Sequence, residues 1–134
     1  MRRFLILGAF IALAGCAELS PPPPPLETTA PATPVFFQPY SATLDQPAIA
    51  AIAAAAAAAA ARPEAKIIVL GAADAAGNTD ANILLSKTRA RIVADQLIAD
   101  GVGPTRIHAR GLGEQSAMEA RAQSARRVLI RIEG

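Results

Sequence analysis

The segment GAADAAGNTDANILLSKTRA, Gly71 to Ala90, holds an aspartate, Asp74, and an arginine, Arg89, fifteen positions apart. The free end of an amino acid offers an ammonium and a carboxylate a few ångströms apart. An aspartate pairs with the first, and the planar fork of an arginine can bond the second bidentately. The same two side chains could instead close on each other as an internal salt bridge. Nothing else in the chain assembles a reactive centre. The single histidine, His108, stands outside any carboxylate or cysteine cluster, so neither a metal site nor a nucleophile with its base can be built. GLGEQS, Gly111 to Ser116, ends in serine where a dinucleotide fingerprint wants glycine, and no Walker sequence occurs. The residues point to binding rather than catalysis, with no cofactor.

The elements that must position this pair follow from pattern. VFF, Val35 to Phe37, is a short strand candidate. Thr43 and Gln46 make a capping box, and Pro47 suits a first helical turn, which predicts a helix from near Leu44 to about Ala61. Its large apolar groups are Ile49 and Ile52, and the alanine run after them forms a helix readily but buries little area. KIIVLG, Lys66 to Gly71, reads as a central strand, covered on both faces or on one face plus an edge. A second helix should begin near Thr79 or Asp80, present Leu85, Ala90, Val93 and Leu97 on one stripe, and close at Gly101. Arg89 then lies about two and a half turns into that helix. RIHARG, Arg106 to Gly111, alternates, with Ile107 and Ala109 inward and Arg106, His108 and Arg110 outward. A short helix over Ser116 to Ser124 leads to RRVLIRI, in which Val128, Ile130 and Ile132 share a face. The order is βαβαβαβ, an α/β domain.

The N-terminus predicts the compartment. MRRFLILGAFIALAGCAE has two arginines, an apolar stretch too short to span a bilayer, and small residues ending in the only cysteine, Cys16. LAGC, Leu13 to Cys16, resembles the lipobox of bacterial lipoproteins. That resemblance implies that residues 1–15 are a signal peptide and that Cys16 is lipidated, with several acyl chains giving stable anchoring. Ala17, where an aspartate would favour the inner membrane, implies an outer-membrane, periplasm-facing protein. The proline-rich stretch Ala17 to Pro34 reads as an extended tether of up to ~55 Å, followed by one domain over 35–134. Without Arg2 and Arg3 the 13 basic residues become 11, matching the 11 acidic ones, so the mature chain is formally neutral. No basic patch with interleaved aromatics marks a nucleic-acid surface.

Gly71, Asp74, Gly77, Asn82, Leu85, Ser86, Arg89, Ala90, Val93, Leu97, Gly101, Val102, Arg106, Ile107, Gly111, Gly113, Glu114, Arg126, Arg127 and Val128 together resemble the pattern of the OmpA-like peptidoglycan-binding domains. The family includes peptidoglycan-associated lipoproteins. The resemblance implies a four-stranded mixed sheet packed by helices. It also implies that Asp74 and Arg89 grip the diaminopimelate of the peptidoglycan stem peptide. Asn82 would orient the loop or touch the ligand, and Arg126 or Arg127 would line the pocket or brace Asp74. Two departures stand out: Ala72 and Ala73 replace a frequent His-Thr, and the segment from Glu114 to Arg126 is short. A wall-binding lipoprotein is therefore expected. The alternative is an adaptor or subunit of an envelope complex that keeps the fold for contacts with other envelope proteins.

Overall fold

The computed structural model describes residues 31–73, 77–114 and 126–134. The signal peptide, Cys16, most of the tether, Asp74 and the helix expected over 116–124 lie outside the described residues. Strand β1 is Thr33–Phe36, helix α1 Gln46–Ala60, β2 Lys66–Ala73 and α2 Thr79–Ala99. A 3-10 turn at Pro104–Arg106 leads into β3, Ile107–Glu114, and β4 is Arg127–Glu133. The four strands form one mixed sheet in the order β1-β4-β2-β3, with β2 parallel to β3 and β4 antiparallel to both β1 and β2. The α/β class and the mixed sheet are as the sequence implies.

β1 begins earlier than the sequence suggests. Thr33 and Pro34, assigned above to the tether, pair with Ile130 and Leu129 of β4. Proline lacks a donor, but β1 is an edge strand, where a missing donor costs no ladder bond. Helix α1 also starts differently. Asp45, not Thr43, is its N-cap, and the Ala48 N–H donates to Asp45 Oδ1 at 2.9 Å. Pro47 has no N–H to offer, so the cap bond falls on the next residue.

The core lies between the helices and one face of the sheet. Val35, Ile67, Val69, Val128 and Ile130 meet Ile52 from α1 and Ala90, Val93 and Leu97 from α2. The alanines of α1 contribute by being small, since Ala48, Ala55, Ala56 and Ala59 are all buried against it. On α2 the buried stripe also takes in Asn82, Ser86 and Arg89, while Leu85 is only half-buried. Ala109, expected inward, is exposed on the edge strand β3. Arg106 is not a strand residue. It sits in the 3-10 turn and donates to the carbonyls of Ala59 (3.0 Å), Arg62 (2.6 Å) and Ala65 (3.0 Å), bracing the end of α1.

Two glycines set how close α2 comes to the sheet. A Cβ on Gly71 would lie 2.1 Å from the Ser86 carbonyl oxygen, and one on Gly111 would lie 2.5 Å from the Lys87 nitrogen. Both obstacles are backbone, so no side-chain rotation relieves them. At its far end α2 closes as expected. Val102 N–H reaches Leu97 O at 2.9 Å and Gly101 N–H reaches Ile98 O at 3.0 Å, the paired bonds of a Schellman stop.

Ile52 is fully buried while Ile49 is half-buried. Ile52→Ala is expected to cost about 2–5 kcal/mol in urea unfolding, with Ile49→Ala costing clearly less. Equal losses would contradict the helix phase.

Candidate functional site

The site forms where β2 ends. Opposite Ala72 the β3 strand carries an extra residue, because Gly71 pairs with Gly111 while Ala73 pairs with Glu114. Pairing of β2 with β4 stops at Gly71. The bulge therefore takes Ala72 out of the ladder and leaves backbone groups to be satisfied inside the protein. Helix α2 supplies the partners from two residues three apart on one face. Ser86 Oγ accepts the Gly113 N–H at 2.9 Å and donates to the Ile83 carbonyl at 2.8 Å. Arg89 Nη1 donates to the Ala72 carbonyl at 3.0 Å.

Arg89 does more than close the bulge. Its Nε donates to the Ser41 carbonyl at 2.8 Å and its Nη2 to the Gln38 carbonyl at 3.0 Å, both in the loop after β1. The guanidinium carbon lies 5.2 Å from the centre of the Phe37 ring, a cation–π separation. Arg89 is 0% exposed. The resemblance implies a guanidinium open to a ligand; the structure buries it, and since a guanidinium taken from water needs replacement acceptors, the loop and strand carbonyls provide them. A guanidinium has five N–H groups, so these three bonds do not exhaust it.

The other expected site residues separate. Asn82 is buried on α2 and lines a groove of about 340 Å³ with Tyr40, Ala81, Leu84, Leu85 and Thr88. The groove is mostly apolar, and Thr88 Oγ1 donates to the Leu84 carbonyl at 2.9 Å, so its hydroxyl is satisfied within the helix. Arg126 is half-buried at the bend before β4, and its carbonyl accepts the Phe37 N–H at 2.9 Å, beside the loop that Arg89 holds. Arg127 pairs with Phe36. Its neighbour Val128 faces the core, so strand alternation turns Arg127 to the opposite side of the sheet, away from Arg89. Of the two arginines, Arg126 is the one beside the site. Asp74 follows directly on Ala73, the last residue of β2, and lies outside the described residues. Sequence reasoning misses Tyr40. Its only signal there is a lone aromatic in a Pro-Tyr-Ser turn.

The OmpA family model matches residues 36–131. This chain belongs to the OmpA family. Among relatives of this OmpA-family chain, the probable lipoprotein YiaD of Escherichia coli (strain K12) is 35% identical over 98 residues, which cover 69% of this chain and 45% of that protein. The peptidoglycan-binding protein ArfA of Mycobacterium bovis is 40% identical over 60 residues, 45% of this chain and 18% of its own length. The chain thus spans less than half the length of these curated relatives. Among solved structures, the peptidoglycan-associated lipoprotein of Burkholderia pseudomallei superposes with a TM-score of 0.67 at 25% identity, covering 75% of this chain and 90% of that one.

Removing the arginine's planar fork should loosen three elements at once. Arg89→Lys keeps the charge, but one ammonium cannot reach carbonyls spread over Gln38, Ser41 and Ala72. The expected loss is about 2 kcal/mol or more by urea unfolding. A variant as stable as the parent would show that the bracket contributes nothing.

Proposed function

We propose that this OmpA-family domain binds peptidoglycan noncovalently through the diaminopimelate of the stem peptide. The observation that carries the reading is the position of Arg89, a cation fixed by three backbone bonds at the end of β2, next to the point from which Asp74 follows. Asp74 pairs with the ligand ammonium, and the positive charge of Arg89 attracts its carboxylate. Asn82 and Arg126 flank the ligand, and Arg127 plays no direct part. The names of the two relatives and the solved neighbour, peptidoglycan-binding or lipoprotein, support the same reading. The lipobox supports an outer-membrane lipoprotein anchored through Cys16, its domain carried into the periplasm on the proline-rich tether. The domain so placed links envelope to wall.

One observation favours the second reading, an OmpA-fold adaptor that no longer holds the wall. Arg89 is fully buried and used by its own chain, and Ala72 and Ala73 bring no polar side chain to this end of the sheet. A pull-down of the purified domain with isolated sacculi separates the two. Wall binding predicts co-sedimentation, competed better by free diaminopimelate than by lysine, which lacks the second amino-acid end. Asp74→Asn should abolish most of this while leaving far-UV dichroism near that of the parent. A parent that stays in the supernatant removes the wall-binding reading and leaves the adaptor in its place.

For the anchor, Cys16→Ser should give a product that no longer fractionates with the outer membrane, and labelled palmitate should enter the parent but not the variant. Membrane recovery unchanged by the substitution, with no label in the parent, removes the lipoprotein assignment.

A further inference from the structure

Tyr40 combines three features that seldom occur together. Its backbone φ is +56°, the left-handed region, and it is the one non-glycine residue with positive φ among those described. For a residue with a bulky side chain this conformation is strained and persists only where the surroundings impose it. The side chain is 77% exposed, so burial of the ring does not compensate for the strain. Tyr40 takes it as the third residue of a turn from Gln38 to Ser41, with Pro39 second and the Ser41 N–H donating to the Gln38 carbonyl at 3.2 Å, and Arg89 fixes that turn by bonding the Gln38 and Ser41 carbonyls on either side of Tyr40. The ring is thereby held at the mouth of the groove on α2, alongside Leu84, which is 66% exposed, and half-buried Leu85.

We infer that Tyr40 is a ligand-contact residue of the wall-binding site and that Arg89 is its positioning residue. The proposal rests on the peptidoglycan reading above and adds what the groove takes: the apolar methylene chain that joins the two amino-acid ends of diaminopimelate. Continuity with the site argues for this occupant. Asn82 belongs to both the groove and the predicted site, and the loop that carries Tyr40 is tied to Ala72 through the same guanidinium. An aromatic ring beside leucines offers a methylene chain a dry surface.

The test uses the protein's own spectroscopy. The chain has one tyrosine and no tryptophan, so its ultraviolet-excited fluorescence reports Tyr40 alone. Titration with a soluble muropeptide bearing diaminopimelate should change that fluorescence saturably, over the same concentration range as calorimetric binding. The glycan disaccharide without peptide should leave it unchanged. Tyr40→Gly removes the ring and relieves the positive φ. It should melt at or above the parent's temperature yet bind sacculi at least about tenfold more weakly. Tyr40→Phe keeps the ring and should bind within about twofold of the parent. Arg89→Lys should lower the tyrosine anisotropy by freeing the loop. A muropeptide that binds without moving the fluorescence, or Tyr40→Gly binding like the parent, overturns the proposal and leaves wall binding standing. A response to the disaccharide alone assigns the groove to the sugar and also overturns it. If the parent binds no sacculi, both readings fall together.

Discussion

The guanidinium of Arg89 is the interaction on which this end of the domain depends. A β-bulge is tolerable in a protein interior only if the backbone groups it displaces find partners. Ser86 takes the amide of Gly113 and Arg89 takes the carbonyl of Ala72. Both side chains are short of reach unless the helix lies close to the sheet. That closeness requires Gly71 and Gly111, where any side chain would strike the backbone of α2. The glycines, the serine and the arginine of the family pattern are thus parts of one arrangement. The helix approaches because the strands have no side chains there, and the approach lets Ser86 and Arg89 repair the bulge that ends the strand.

Arg106 repeats the device at the opposite end of the domain. It joins the carbonyls of Ala59, Arg62 and Ala65 at the end of α1, where a helix leaves acceptors without intrahelical donors. An alanine-rich helix buries little area per residue, so a fork that ties its last turn to the turn before β3 supplies fixation that packing does not. The two arginines differ in burial. Arg106 is half-exposed, whereas Arg89 has exchanged all of its water for protein acceptors and the face of Phe37. Losing the second is the more damaging, because the carbonyls it serves cannot turn to solvent as readily.

Periodicity makes much of this fold legible in the sequence. The α2 stripe of Ala90, Val93 and Leu97, the alternation of β4 and the stop at Gly101 depend on local pattern, and local pattern is what a sequence displays. The arginines' roles are not legible there, because a backbone carbonyl is carried by every residue and nothing in the sequence marks which one a side chain will reach. The spacing of Asp74 and Arg89 leaves a ligand grip and an internal salt bridge both open, and no rule of spacing distinguishes an arginine at a surface from one folded beneath a loop. Pattern misplaces Leu85 and Ala109 for a related reason. Each carries the right period, but the loop at Tyr40 leaves a groove beside the first, and the edge position of β3 leaves the second uncovered. Composition hides the pairing of Thr33 and Pro34, since a proline run reads as tether until an edge strand accepts its last member.

The same physics bears on the two alanines that depart from the family pattern. Ala72 and Ala73 are both buried at the end of β2, so their methyls complete the packing beneath the site and bring no donors to it. In the proposed site, polar recognition then falls to groups outside the strand: Asp74 beyond its end, Asn82 on α2, and Arg126 at the bend before β4. The loop after β1, which borders Asn82 and Arg126, keeps its place beside them only if it is rigid relative to the strand and to α2. A single desolvated guanidinium bonded to the loop at two carbonyls and to the strand at a third provides that rigidity, since moving any one element would leave a buried acceptor unpaired. The positive φ at Tyr40 belongs to the turn from Gln38 to Ser41, the same turn whose two end carbonyls the guanidinium holds. In the proposed site, loss of polar side chains from the strand and tight anchoring of the loop are therefore compatible, with the loop that Arg89 holds taking the place of β2 as the surface offered to a ligand.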